Sequence, residues 1–194
     1  MTDRVGGDGW RAYALLVAAI MALQAVALLV EGHPAICKCG YVKLWEGAVN
    51  SAGNSQHLSD WYSFTHIIHG VLLYALLRLV GRFRALSFGA SLVLAVALEA
   101  GWEVLENTRF IIERYRAVTI SLDYYGDSVI NSLSDTAFMI VGFAIARLLP
   151  VPGTVVVAVA LELFVGWSIR DNLTLNLIML IHPVDAIRTW QAGG

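Results

Sequence analysis

Nineteen consecutive residues without a charge, Ala12 to Val30 (AYALLVAAIMALQAVALLV), constrain this chain more than any other feature. A run of that length matches the hydrocarbon core of a bilayer, where every backbone N–H and C=O must be satisfied within its own segment, so a helix is the available solution. Similar windows recur from about Tyr62 to Val80, Leu86 to Leu105, Ser128 to Leu149, and Thr154 to about Ile169, the last after Val151-Pro152-Gly153. The run NLTLNLIMLIHP follows Arg170-Asp171 and reads as a continuation into the interface or a short helix lying in it. The composition agrees: 58% hydrophobic, 14% charged, mean hydropathy +0.67. The expected fold is therefore an all-α polytopic membrane helix bundle of about five transmembrane helices, a single integral membrane domain over residues 1–194.

The first run is longer than the apolar core of a signal peptide, and LVEGHPA after it lacks a small-x-small cleavage site, so an uncleaved anchor is expected. Arg4 and Arg11 precede it, and Arg78, Arg82 and Arg84 flank the short turn between the second and third windows. By the positive-inside rule these charges predict a cytoplasmic N-terminus and an inner-membrane location. The net charge of −2 and the scattered Lys and Arg give no support to nucleic-acid binding, which leaves membrane lipid as the expected partner.

With that topology, the polar residues gather at one side. His57, Asp60, His66 and His69 stand at the start of the second window, Glu99, Glu103 and Glu106 at the end of the third. Asp127, Asn131 and Asp135 begin the fourth, and Arg170 and Asp171 follow the fifth. His66 and His69 are spaced i, i+3, and the glutamates i, i+4, i+7, so each set shares a helix face. Asp127, Asn131 and Asp135 form one stripe about 12 Å long. An Asp in lipid costs on the order of 3 kcal/mol, so these stripes are expected to face one another or a wet cavity.

Imidazole plus carboxylate is the ligand set of zinc, manganese and non-haem iron sites. His66 and His69 are candidate ligands of a divalent metal such as zinc, with Glu103, Asp127 and Asp135 as further ligands or acid–base groups. A metal-free carboxylate pair would have to join two helices, for example Glu103 with Asp135, because Asp127 and Asp135 lie too far apart on one helix. Asn131, Arg109 and Arg170 are candidate substrate-binding residues, the arginines for an anionic headgroup. The competing reading is a structural network in which the carboxylates pair with Arg109, Arg114 or Arg170. Cys37-Lys38-Cys39 is open to a disulfide, a soft-metal site with His33 or His57, or lipidation. The tryptophans and tyrosines read as interface anchors.

The segments ICKCGYVKLW, SQHLSDWYSFTHIIHG, EAGWEVLEN, YYGDSVINSLSD and IRDNLTLNLIMLIHP together resemble an uncharacterised, chiefly alphaproteobacterial family of multi-pass membrane proteins with a domain of unknown function, over about Ala12 to Gln191. That resemblance implies a cell-membrane location and helical spans, and no known activity. The chain is more distantly similar to the VanZ-like membrane proteins associated with teicoplanin resistance. A helix beginning with His66 or His69, an acidic helix with Glu99 or Glu103, and Asp127-Ser-Val-Ile-Asn131 follow their order. The chain departs after Asn131, where SLSD replaces a Gly-rich continuation, and it adds the Cys37-Cys39 loop.

Two classes of function are thus expected. One is a membrane-embedded enzyme acting on a lipid or lipid-linked envelope precursor at the outer leaflet; the other is a non-catalytic envelope-assembly or binding protein. A cavity would favour the first, close Arg–carboxylate pairing the second. Transport is disfavoured by the lack of an inverted repeat. The topology itself is testable: an impermeant thiol reagent applied to reduced, intact spheroplasts is expected to label Cys37 and Cys39, and protection would place the N-terminus outside.

Overall fold

The computed structural model describes residues 7–80, 83, 85–119 and 122–193. Arg4, Arg82 and Arg84, which carry part of the topology expectation, lie outside the described residues. Among the described residues the chain forms eight helices and no strand: α1 (Gly7–Glu31), α2 (Ser63–Leu79), α3 (Phe88–Glu106), α4 (Arg109–Val118), α5 (Val129–Leu148), α6 (Val151–Ile169), α7 (Leu173–Ile181) and α8 (Asp185–Gln191). Four of them, α1, α3, α5 and α6, are long and apolar enough to cross a membrane. At 17 residues α2 is shorter, about 25 Å of helix, close to the lower limit for a span.

Local sequence sets most helix starts. Ser87, Thr108, Ser128 and Asn172 each accept a backbone N–H from the first turn of α3, α4, α5 and α7, satisfying a donor that the helix itself leaves unpaired. The fifth apolar helix begins at Val151, three residues before the expected Thr154. Pro152 does not block it, because a proline in the first turn has no helix hydrogen bond to lose. The segment after Arg170 is a separate nine-residue helix, α7, and not a continuation of α6. The turn into it is made by Arg170 in the left-handed conformation (φ 55°). Two short helices, α4 and α8, were not anticipated: α4 is amphipathic, burying only Ile111, Tyr115 and Val118, and α8 buries little more than Gln191.

Helix α2 is central and packs most extensively on α5. Two glycines let their backbones meet. A Cβ on Gly70 would overlap the backbone of Met139, Gly142 and Phe143, and a Cβ on Gly142 would overlap that of Ile67. Close backbone approach through small residues is how helices associate where no hydrophobic effect separates protein from lipid. Beside this seam, Leu77, Ala95, Val96, Met139 and Phe143 form the apolar core. The outer faces of α1 and α6 are the reverse of a soluble protein's, exposing Leu15, Leu23, Val30, Val156, Leu163 and a Trp167 that is 90% exposed.

The long segment between α1 and α2 is pinned to the start of α5. Val129 and Ile130 donate their N–H groups to the carbonyls of Pro34 and Ala35, and Ser128 N–H donates to Ser55 O at 2.9 Å. These bonds hold Ser55 in the left-handed region (φ 58°), which a non-glycine residue adopts only when its surroundings enforce it.

The glycine seam carries a direct expectation. Gly70→Ala is expected to destabilise the detergent-solubilised protein by about 1–3 kcal/mol, since its Cβ meets backbone that cannot rotate away. Gly101→Ala, on α3 with no atom within 4 Å of the new Cβ, is expected to be neutral or slightly stabilising. Thermal midpoints read by fluorescence-detected size exclusion compare the two, and equal midpoints would show that the seam does not set the packing.

Candidate functional site

The seam places one cluster. His66 lies four residues before Gly70, and Asp135 lies seven before Gly142, so each shares a helix face with its glycine. The backbone contact therefore brings the start of α2 against the first turns of α5, and α3 closes the third side. His66 Nδ1 lies 2.7 Å from Glu99 Oε1 and 3.3 Å from Glu103 Oε1, and its Nε2 lies 4.0 Å from Asp135 Oδ2. His69 Nδ1 lies 3.0 Å from the same Glu99 Oε1. All but His69, which is half-buried, are buried.

The bonds to Glu99 fix the chemistry of both rings. An ionised carboxylate only accepts, so each Nδ1 donates its hydrogen to Glu99 Oε1. In the neutral imidazoles both Nε2 atoms then present a lone pair, the arrangement that a carboxylate partner gives a metal-ligating histidine. The 4.0 Å from His66 Nε2 to Asp135 Oδ2 is too long for a hydrogen bond. Ligand atoms of His66, His69 and Glu99 lie within 4.8 Å of one another, and so do those of His66, Glu103 and Asp135.

One oxygen each of Asp135 and Glu103 is held by an uncharged partner. Ser63 Oγ donates to Asp135 Oδ1 at 3.0 Å, and Ser132 Oγ to Glu103 Oε2 at 2.6 Å. Gln24, the one polar side chain deep in α1, donates to Ser132 Oγ at 2.8 Å and accepts from Thr136 Oγ1 at 3.0 Å. Glu103 Oε1 is buried and has no hydrogen-bond partner among the described residues. It is an acceptor with nothing to accept, the condition a cation would relieve.

A cavity of about 60 Å³ opens over this cluster, room for a few water molecules. His66, His69, Asp127 and Asp135 line it, with Trp102 on α3 and Leu177 on α7 as apolar walls. Asp127 is gripped by Asn107, whose Nδ2 donates to Oδ2 at 2.7 Å while its Oδ1 accepts the Asp127 N–H at 2.6 Å. Burial pushes the Asp127 carboxyl up from its ordinary value, against the lowering effect of Asn107.

Not every expected residue arrives. Asn131 is buried but donates to the His57 carbonyl at 2.8 Å, fastening the loop rather than facing the cavity. Arg109 and Arg170 are also away from it. Arg109 opens α4 with its side chain 92% exposed and pairs with Glu113 one turn on, while Arg170 is exposed and donates to Trp190 O. Arg114 donates to Leu180 O, so the expected Arg–carboxylate pairing does not form around the cluster. Glu103 and Asp135, the expected cross-helix pair, do come together, with His66 beside both. His57 belongs to the loop between α1 and α2, where its Nδ1 accepts the Lys43 N–H. The sequence reading used Glu99 as part of a stripe but missed its role as common partner of both histidines. It also passed over Gln24, whose signal was a single amide in an otherwise apolar run.

Asp171, after α6, has four hydrogen-bond partners: Tyr62 Oη, the Asn172 N–H, Asn176 Nδ2 and Gln191 Nε2. Burial pushes its carboxyl up to about 6, and burial does the same to Asp60 at the start of α2. The folded chain therefore keeps protons that free aspartate has lost, so stability is expected to fall as pH rises from about 4 to about 6. The thermal midpoint should be higher at the acidic end of that window, and Asp171→Asn should flatten the slope. An unchanged slope in that variant would remove Asp171 from the account.

Comparison with known proteins places these residues in a family. Residues 28–193 match the family described as Protein of unknown function (DUF2585). The UPF0314 protein RL4541 of Rhizobium johnstonii is 57% identical over 90% of this chain and 89% of its own length. The UPF0314 protein R03235 of Rhizobium meliloti is 53% identical over 96% and 95%, and the UPF0314 protein of Sphingopyxis alaskensis 50% identical over the whole of both chains. No solved structure matches the chain. These matches bear out the resemblance to an uncharacterised alphaproteobacterial family; they do not show the VanZ-like similarity.

Proposed function

The chain belongs to the DUF2585 family of proteins of unknown function, and from its site we propose a membrane-embedded enzyme whose His/carboxylate cluster holds a divalent metal such as zinc and acts on a lipid or lipid-linked envelope precursor. The observation that carries this reading is the pair of histidines turned by one carboxylate, with both Nε2 atoms free and a buried glutamate oxygen unpartnered beside them. His66 is the common ligand of the proposed site, with Glu103 and Asp135 on one side of it and His69 on the other. Such an ion, when bound, lowers the pKa of its water and polarises a substrate oxygen.

The rest belongs to the chain. Glu99 orients both rings, and Ser132 and Ser63 hold Glu103 and Asp135 in place. Asp127 faces the same cavity, and a carboxyl that keeps its proton above the ordinary aspartate range is suited to protonate a leaving group. The cavity has room for the reacting end of a headgroup and not for acyl chains, which would stay in the bilayer. With a cytoplasmic N-terminus the cavity faces the outer leaflet of the inner membrane. Among the described residues no arginine lines it, so the Asn and Tyr side chains around the rim would hold the substrate's reacting end.

A second reading, a non-catalytic assembly or binding protein, draws on the chain Thr136–Gln24–Ser132–Glu103, which ties α1, α5 and α3 together as a structural network. Elemental analysis of the detergent-purified protein separates the two. Near-stoichiometric zinc, manganese or iron is expected in the parent and none in a His66→Ala/His69→Ala variant that elutes as the same folded species. Glu99→Gln is expected to weaken metal binding by about 10–100-fold through the loss of orientation. Metal in neither parent nor variant would favour the structural network.

A further inference from the structure

A second cavity, of about 560 Å³, lies in the outer loops, within the size range of small-molecule sites. The Cys37–Cys39 disulfide forms part of its wall, together with Tyr41 and His57. Three features of this disulfide do not fit a structural staple. It spans a single intervening residue, and the stabilisation from a cross-link shrinks with the loop it closes, so it restrains little of the unfolded chain. The loop is already fixed on both sides, by Pro34 and Ala35 to α5 and by the Glu46–Ser59 and Lys43–Leu58 backbone bonds. Its two sulfurs also sit in unlike places: Cys37 is 6% exposed, whereas Cys39 is on the surface.

A histidine completes the set. One His57 ring nitrogen and both sulfurs lie within 4.8 Å of one another. The ring is buried and stacked on Tyr41 at 5.7 Å between centroids, and its Nδ1 accepts the Lys43 N–H at 3.2 Å. In the neutral ring the hydrogen is therefore on Nε2. Burial, with the charge of Lys43, pushes the imidazole down from its ordinary value, which keeps it neutral at pH 7.

We infer that Cys37 and Cys39 form a thiol–disulfide exchange couple, with His57 steadying the departing Cys37 sulfur and a small thiol or dithiol as the substrate admitted by this cavity. An incoming thiolate attacks the exposed Cys39 sulfur; the S–S bond breaks, and its electron pair leaves on Cys37, which takes up the proton released by the incoming thiol. A second substrate thiol then attacks the substrate sulfur of the mixed disulfide, releasing Cys39 as a thiol and the substrate as its disulfide. Two substrate thiols are oxidised by two electrons and the cysteine pair is reduced by two. The couple shares no residue with the His/carboxylate cluster, so its test stands apart from that of the metal site.

The full-length protein in detergent is titrated with dithiothreitol, the thiols are trapped with a maleimide and counted by mass, and the fold is followed by elution volume. The expected result is complete reduction without denaturant and without a change in elution. In a Cys37→Ser variant, Cys39 is expected to form a mixed disulfide with oxidised glutathione. His57→Asn keeps an acceptor for the Lys43 N–H but lacks the Nε2 hydrogen, and it should slow reduction by about tenfold. Reduction only after denaturation, or an unchanged rate in folded His57→Asn, would overturn the proposal. Retention of zinc or copper(I) by the reduced pair through chelator washing would also overturn it, in favour of a soft-metal site.

Discussion

The contact on which the rest of this structure depends is the meeting of α2 and α5 at Gly70 and Gly142. Because the two backbones touch, the side chains one and two turns away on the same faces have no room to avoid each other, and those side chains are Ser63, His66 and Asp135. A larger residue in the seam would part the helices and lengthen the distance from His66 to Asp135. The functional geometry is thus a consequence of the packing geometry, set by residues with no chemistry of their own. Lipid makes such a seam worthwhile, since apolar bulk alone gives helices little reason to prefer each other over acyl chains.

Charge balance is the second constraint. Three carboxylates, Glu99, Glu103 and Asp135, face two imidazoles, so the group stays one charge negative even with both histidines protonated. Among the described residues no lysine or arginine lines the cavity above them. Uncompensated charge is costly in a buried site, and a protein can meet that cost with protons, with hydrogen bonds or with a cation. Hydrogen bonds from Ser63 and Ser132 do part of this work, but Glu103 Oε1 receives none. With the imidazoles neutral, as ligation requires, a bound divalent ion would cut the charge of the group from three negative to one and give the unpartnered oxygen a partner.

Much of this arrangement was legible in the sequence, for physical reasons. Bilayer thickness fixes the length of an apolar run, so α1, α3, α5 and α6 could be found by counting. The i, i+3 and i, i+4 spacings of His66, His69, Glu99 and Glu103 fixed their faces, and the cost of burying them demanded that the faces meet. The glycine seam was hidden because Gly70 and Gly142 are unremarkable in apolar windows, and only the fold shows which neighbour they touch. Helices α4 and α8 were hidden because ten and seven residues cannot be told from loop by hydropathy. Arg109 and Arg170 were placed on charge alone; Glu113 one turn away on α4 was the local signal that Arg109 had a partner outside the site.

The measurement that bears most directly on this account is the X-ray absorption spectrum of the zinc-loaded protein in detergent, beside that of the His66→Ala/His69→Ala variant. The account predicts a low-coordinate nitrogen and oxygen shell with the outer scattering of two imidazole rings in the parent, and loss of that scattering in the variant. A spectrum without imidazole scattering, or one that the double substitution leaves unchanged, would contradict a metal centre at the meeting of α2, α3 and α5.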